Sequence, residues 1–372
     1  MESTTRSDGD AAASSAAVDL EGRPYQLEGG PYQAVLLVSF GGPEGHDDVL
    51  PFLENVLRGK PVPRERMLEV AEHYHHFGGV SPINAQNRAL IAALQAELDR
   101  HGPRLPIYWG NRNWRPLLPD ALRQMADDGI ERALALFTSA FSCYSGCRQY
   151  RENIEAARQE VGPQAPRIDK LRMFFNHPGF VEPMAESLRD AAAALEHEAG
   201  PGAPTVLFTA HSIPLSMAEN CRYERQLQES CRLVAEAAGA STWELVYQSR
   251  SGPPQQPWLE PDVCARIAEL HGAQQLRRLL IVPIGFVSDH MEVMYDLDTE
   301  AADLCRQLEI PMKRVATVGT HPRFVQMVRE LIVERMTPGA TRPALGGLGP
   351  SHDVCPVDCC LYAPSRPPGP PR

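Results

Sequence analysis

From Tyr32 to about Thr337, short apolar runs alternate with long amphipathic stretches, and each run closes on a turn of Gly, Ser or Pro. Strands buried on both faces read as unbroken apolar runs, and strands alternating with helices imply parallel sheets. The pattern predicts strands over residues 34–40, 105–110 and 133–137 in the first half, and over 205–209, 243–248 and 279–283 in the second. Helices fill the gaps, 88–100 and 222–238 among them. The halves also echo each other. VLLVSFGGP (35–43) parallels VLFTAHSIP (206–214), and ERALALFTSAFS (131–142) parallels RRLLIVPIGFVS (277–288), so the two halves look like copies of one doubly wound α/β unit.

Length supports this division, because 372 residues exceed the size at which one hydrophobic core stops growing. The expected organisation is a disordered leader over 1–29, a first unit over 30–170, a second over 171–336 whose last helix is free to pack back on the first, and a tail over 337–372. The leader is small, polar and acidic, without the basic and apolar regions of a secretory signal. No apolar run approaches the ~18 residues of a membrane span, so a soluble, cytoplasmic protein without a transmembrane segment is expected. The net charge of -11, from 36 basic and 47 acidic residues, argues against nucleic acid as a partner and suits attraction of cations.

In open parallel sheets, ligands sit beyond the carboxyl ends of the strands. Two candidate groups fall there. The segment SDHMEVMYDLDTE (288–300) follows the apolar run LLIVPIGFV and sets Glu292, Asp296 and Glu300 four residues apart, on one face of a helix. Stacked like charges cost stability, and a solvated acidic face has the same appearance. The strand just upstream favours a row of hard oxygen ligands that passes a hydrated divalent cation inward. His211 ends the run TVLFT and precedes Ser212; an imidazole there takes a proton near neutral pH or binds a metal. Facing Glu292 across a cleft, it would form a proton-accepting pair or a transient metal site.

His73, His75 and His76 in EHYHHFGG resemble metal ligands, but i, i+2, i+3 spacing does not converge three rings, so they read as surface or cleft-lip residues. The Pro/Gly-rich tail cannot bury a core. It nevertheless carries DVCPVDCC, in which Cys355, Cys359 and Cys360 supply three thiols, one short of a tetrahedral site or an iron–sulfur cluster. Cys147, in FSCYSGCRQY after a strand end, is the first choice for a fourth and Cys143 the fallback.

VLLVSFGGPEG, HHFGGVSPIN, YWGNRNWRP, TAHSIP and GFVSDHMEVMYDLDTE, in that order, closely resemble the ferrochelatases. The tail cysteines beside SGCRQY resemble the actinobacterial branch that contains a [2Fe-2S] cluster and is similar to coproporphyrin ferrochelatases. The resemblance implies two Rossmann-like, chelatase-type domains with a porphyrin held between them, and Fe(II) as a substrate. It implies that His211 and Glu292 are the catalytic and iron-binding pair, with Asp296 and Glu300 as the delivery path. It places Phe40, Arg58, Tyr74, Ser81, Tyr144 and Ser212 among porphyrin contacts, and Cys147, Cys355, Cys359 and Cys360 as cluster ligands. Phe40 stands where some relatives have a tyrosine able to ligate iron, and His73 where relatives often have arginine. The implied activity is insertion of Fe(II) into coproporphyrin III in haem biosynthesis, by a monomer with hand-off to the next enzyme of the pathway. Protoporphyrin IX as substrate, a cobalt or nickel chelatase, and a non-catalytic porphyrin sensor are the alternatives.

Overall fold

The computed structural model describes residues 31–362 apart from 61 and 253–254. The leader expected over 1–29 and the end of the tail lie outside the described residues. Two four-stranded parallel sheets organise the rest. The first contains β1 (Ala34–Ser39), β2 (Ile107–Asn111), β3 (Arg132–Phe137) and β4 (Arg167–Lys170), in the order β2-β1-β3-β4. The second contains β5 (Thr205–His211), β6 (Trp243–Gln248), β7 (Leu279–Val282) and β8 (Met312–Arg314), in the order β6-β5-β7-β8. The matching orders pair β1 with β5 and β3 with β7, the same pairing that the repeated segments suggest.

Every residue of β1, β3 and β7 is buried, which accounts for their unbroken apolar runs. Two strands were not predicted. RIDK in β4 and MKR in β8 are short and polar: in β4 the buried Asp169 accepts from Tyr32 and Arg132 and Lys170 donates to the His352 carbonyl, and MKR is half-buried throughout. β2 begins two residues later than predicted, since Pro106 has no N–H for the ladder; its carbonyl instead accepts from the Val35 N–H at 2.9 Å. The predicted helix over 88–100 begins earlier, giving Ile83–His101, and stops at Gly102, whose φ of +67° is open to glycine. The helix predicted over 222–238 is observed as Tyr223–Ala238.

One hydrophobic cluster runs through both units. Leu37 and Leu136 of the first sheet share it with Phe208 and Val282 of the second, and Phe141, Phe174, Phe180 and Phe324 lie between them. The helix Pro322–Met336 packs against both Ile83–His101 and Pro178–Ala199. Gly179 permits the second contact, because an added Cβ would lie 2.5 Å from the Cβ of Met327. Arg172, just after β4, is buried against Glu334 of the same helix at 2.7 Å. The carboxyl ends of β1 and β3, and of β5 and β7, are the points where strand order reverses, and the loops that follow them hold the candidate residues. Among the described residues, no helix is long and apolar enough to cross a membrane.

Candidate functional site

His211 is the last residue of β5, and its Nδ1 contacts the carbonyl of Ser212. That contact turns the other ring nitrogen outward, where Nε2 lies 3.5 Å from Oε2 of Glu292. Glu292 sits in the short helix Met291–Val293, delivered by the loop after β7. Its side chain keeps 48% exposure and that of His211 32%, so the pair is open to solvent at the strand ends.

The two charges sustain each other. Burial works against the imidazolium, but the Glu292 carboxylate outweighs it and holds the His211 pKa above the usual value. Burial likewise works against the carboxylate, yet His211, then His290 and Lys60, bring Glu292 down to about 2. Asp296 behaves oppositely. Burial raises it and Glu292 and Glu300 repel its charge, so it stands at about 7 although the Ser249 hydroxyl and Gln248 amide donate to it. Glu300 is raised by burial and by Asp262.

The carboxylates do not ride on an ordinary α-helix. After Val293 the chain widens into a π-helical segment, Met294–Ala301, before returning to an α-helix at Ala302–Gln307. Such insertions concentrate at functional sites, and hydropathy gives no sign of them.

From the first unit, Tyr74 and Lys60 lie close enough to feel the Glu292 charge; among the described residues, no contact brings the other predicted porphyrin residues of that unit to the pair. Tyr74 is half-buried against the Phe52 ring, and desolvation followed by the Glu292 charge raises its hydroxyl pKa. His73 stacks on Tyr295 with ring centroids 3.7 Å apart, and Gln86 accepts from the Asp289 N–H at 2.8 Å. Phe40 lies edge-on to Phe52 with the Arg112 guanidinium 5.7 Å from its ring centroid. Arg58 is exposed at the end of the helix His46–Leu57 and bonds Asn55. The Tyr144 hydroxyl donates to Glu152 at 3.1 Å. Ser81 and Ser212 are buried; the Ser212 hydroxyl donates to the Leu259 carbonyl at 2.8 Å, so it is engaged inside the second unit. The residues that sequence reasoning missed are Lys60, Arg112, Gln248, Ser249 and His290. Ser249 carries the one clear signal, a φ of +60° at a non-glycine strand end, and that appears only in the backbone.

The tail forms a second centre. All nine cysteines are free. Cys147 lies in a π-helical turn, Tyr144–Arg148, and is buried with Cys355 and Cys360, while Cys359 is half-buried with its Sγ 3.7 Å from that of Cys360. Hydrogen bonds from the Cys147 and Cys359 thiols, then Lys170, hold Cys355 well below the usual thiol range. Cys143 does other work, its Sγ accepting from the Gly146 N–H at 3.1 Å. A histidine absent from the sequence reading joins the group: the ligand atoms of His352, Cys355 and Cys359 lie within 4.8 Å of one another. The Pro/Gly-rich strap that carries these thiols is held through its carbonyls. Asn176 donates to Leu345 and Gly349, Lys170 to His352, and Arg148 to Val357 and Cys359. His352, Cys355 and Cys359 on this polar-pinned strap are a donor set that fits a metal ion, and Cys147 of the first unit and Cys360 lie next to it.

A sequence model described as ferrochelatase matches residues 32–336, which includes both candidate residues of the central pair. The chain belongs to the ferrochelatase family. A ferrochelatase of Rhodopirellula baltica is 67% identical over 338 residues, covering 91% of this chain and 96% of that protein. A coproporphyrin III ferrochelatase of Streptomyces coelicolor is 52% identical over 369 residues, covering 93% of this chain and 97% of that protein. Among solved structures, the SirB protein of Bacillus subtilis with Fe3+ superposes at a TM-score of 0.51 with 13% identity, covering 82% of this chain and 96% of that one. That likeness extends the chelatase fold to both units of this ferrochelatase-family chain.

Proposed function

We propose that the chain inserts ferrous iron into coproporphyrin III, as a cytoplasmic monomer, with His211 and Glu292 as the residues that hold iron and move protons. The observation that carries this is the 3.5 Å separation of Nε2 and Oε2 at the carboxyl ends of a parallel sheet. Two ligands of one ion about 2.1 Å from each stand roughly 3 Å apart, so small movements would let the pair hold Fe(II) in place of its shared proton. Insertion releases two pyrrole protons. When iron passes to the ring, the freed His211 imidazole takes one and re-forms its ion pair with Glu292. Asp296, poised at about 7, suits the second, and with Glu300 it forms the outward row along which hydrated iron arrives.

Phe40, Tyr74 and Tyr144 supply apolar and aromatic contact for a flat macrocycle, and binding energy from its periphery offsets ring distortion. The cations Arg58, Lys60 and Arg112 on the first unit favour the substrate with more carboxylates, which is coproporphyrin with four propionates over protoporphyrin with two. The Streptomyces relative, named for coproporphyrin III, supports the same choice. Cys147, Cys355, Cys359 and Cys360 would hold a [2Fe-2S] cluster, which would tie the strap to the first unit. The test is anaerobic insertion with each porphyrin and with Fe(II), Co(II) and Ni(II). Efficient iron insertion into coproporphyrin with protoporphyrin poor supports the reading, and preference for another metal or porphyrin refutes it. A visible chromophore of the purified protein that is lost in Cys355→Ser is the expected sign of the cluster; a colourless chain purified without oxygen would remove it.

A further inference from the structure

The histidines of EHYHHFGG have no part in the chemistry above. Their rings diverge, as their spacing requires: His73 stacks on Tyr295 and His76 lies edge-on to Phe77. His75, however, meets a partner 29 positions earlier. Its Nδ1 lies 2.9 Å from Nδ1 of His46, with the rings 14° from parallel. The backbone fixes this meeting. Gly79, just past the helix Arg64–His76, packs so closely that a Cβ would stand 2.6 Å from the backbone nitrogen of His46, where the helix His46–Leu57 begins.

Two Nδ1 atoms at that separation cannot both carry protons, so one donates and the other offers a lone pair. A divalent ion about 2.1 Å from each nitrogen would need them roughly 3.2 Å apart, an opening of a few tenths of an ångström. Beside the pair lies an open hollow of ≈ 520 Å³ lined by Glu72, His73, His75, His76, Tyr295 and Thr299. Glu72 and His76 bring a carboxylate and another imidazole to its near wall. The far wall, Tyr295 and Thr299, belongs to the π-helical segment that also carries Asp296 and Glu300. A pair of imidazole nitrogens favours first-row divalent ions over Mg2+ or Ca2+.

We infer that the facing imidazoles of His46 and His75, at the edge of this hollow, form a separate site that collects a first-row divalent cation and presents it, when it is ferrous iron, to the Asp296–Glu300 row. The exposed setting of these donors makes the bound ion exchangeable, as a collecting site requires. Presentation of iron rests on the proposed function, whereas binding at the histidines does not.

The experiment is anaerobic calorimetric titration of the full chain with Ni(II) and with Fe(II), alongside His46→Ala and His75→Ala. Each variant should lose one equivalent of exchangeable metal while its circular dichroism stays that of the wild type. At limiting iron, the KM for Fe(II) should rise several-fold with kcat at saturating iron unchanged. Equal metal stoichiometry in the wild type and both variants would overturn the site, and an unchanged KM for iron would overturn its role in delivery. A wild-type chain that inserts no iron would defeat the proposed function and leave the stoichiometric result to stand alone.

Discussion

His177 offers the sharpest test of how the two units are joined. Its side chain is wholly buried at the start of the helix Pro178–Ala199, where Nδ1 accepts from the Gly179 N–H at 3.0 Å. Burial, then the nearby Arg172 and Arg323 charges, lower its pKa from 6.5 to about 3 although Nε2 lies 3.6 Å from a Glu330 carboxylate oxygen. The folded value lies below the unfolded one, so native His177 is neutral. The stability it contributes is complete above the unfolded value and drains away as pH falls from there towards the folded value. Each pH unit across that window costs about 1.4 kcal/mol, so by about pH 5 the loss is about 2 kcal/mol, a substantial share of an ordinary stability. His177→Asn keeps a side-chain cap on the helix and removes the titration. Urea unfolding of both proteins at neutral pH and at about pH 5 should show the wild type losing about 2 kcal/mol more than the variant on acidification. Equal losses would mean that His177 is already protonated, or reached by water, in the native state.

Three further outcomes follow from the site. Gly285→Ala would place a Cβ 2.7 Å from Cα of Ala210, beside His211; overpacking of that kind costs about 1–3 kcal/mol, and it should lower both the thermal midpoint and the turnover. Insertion by the wild type should fall as pH drops through about 7, where Asp296 takes a proton, and Asp296→Asn should be slower and lack that limb; an unchanged limb would assign it to another group. Arg148 donates to two tail carbonyls, at 2.6 and 3.0 Å, so if the strap holds the proposed cluster, Arg148→Met should speed its loss into chelator without altering the central pair.

The parts of the fold that the sequence revealed are those where burial alone decides. β1, β3, β5 and β7 are buried runs at the middle of their sheets, and their repeated spacing exposed the doubled plan. The edge strands β2 and β6 carried enough apolar residues to be read as well, whereas RIDK and MKR, four and three residues long and mostly polar, look like loops. That His211 and Glu292 would meet was legible because each closes or follows an apolar run at the carboxyl ends of one sheet. The π-helical widening that carries Asp296 was not, since its apolar positions read the same in either helix type. Gln248 and Ser249 reach Asp296 only because β6 lies beside β5, a tertiary fact. The same holds for His46 against His75 and His352 against Cys359, whose distances in sequence or unremarkable surroundings leave no local mark.

The central claim is that His211 and Glu292 act as one unit on iron and protons. Its most direct test is a double-mutant cycle of Fe(II) insertion with His211→Ala and Glu292→Gln, with porphyrin affinity followed by fluorescence. A single unit predicts that each variant loses at least about 100-fold in kcat, that the pair together is no worse than either alone, and that porphyrin affinity is retained. Turnover that persists in either variant, or losses that multiply in the double variant, would contradict it.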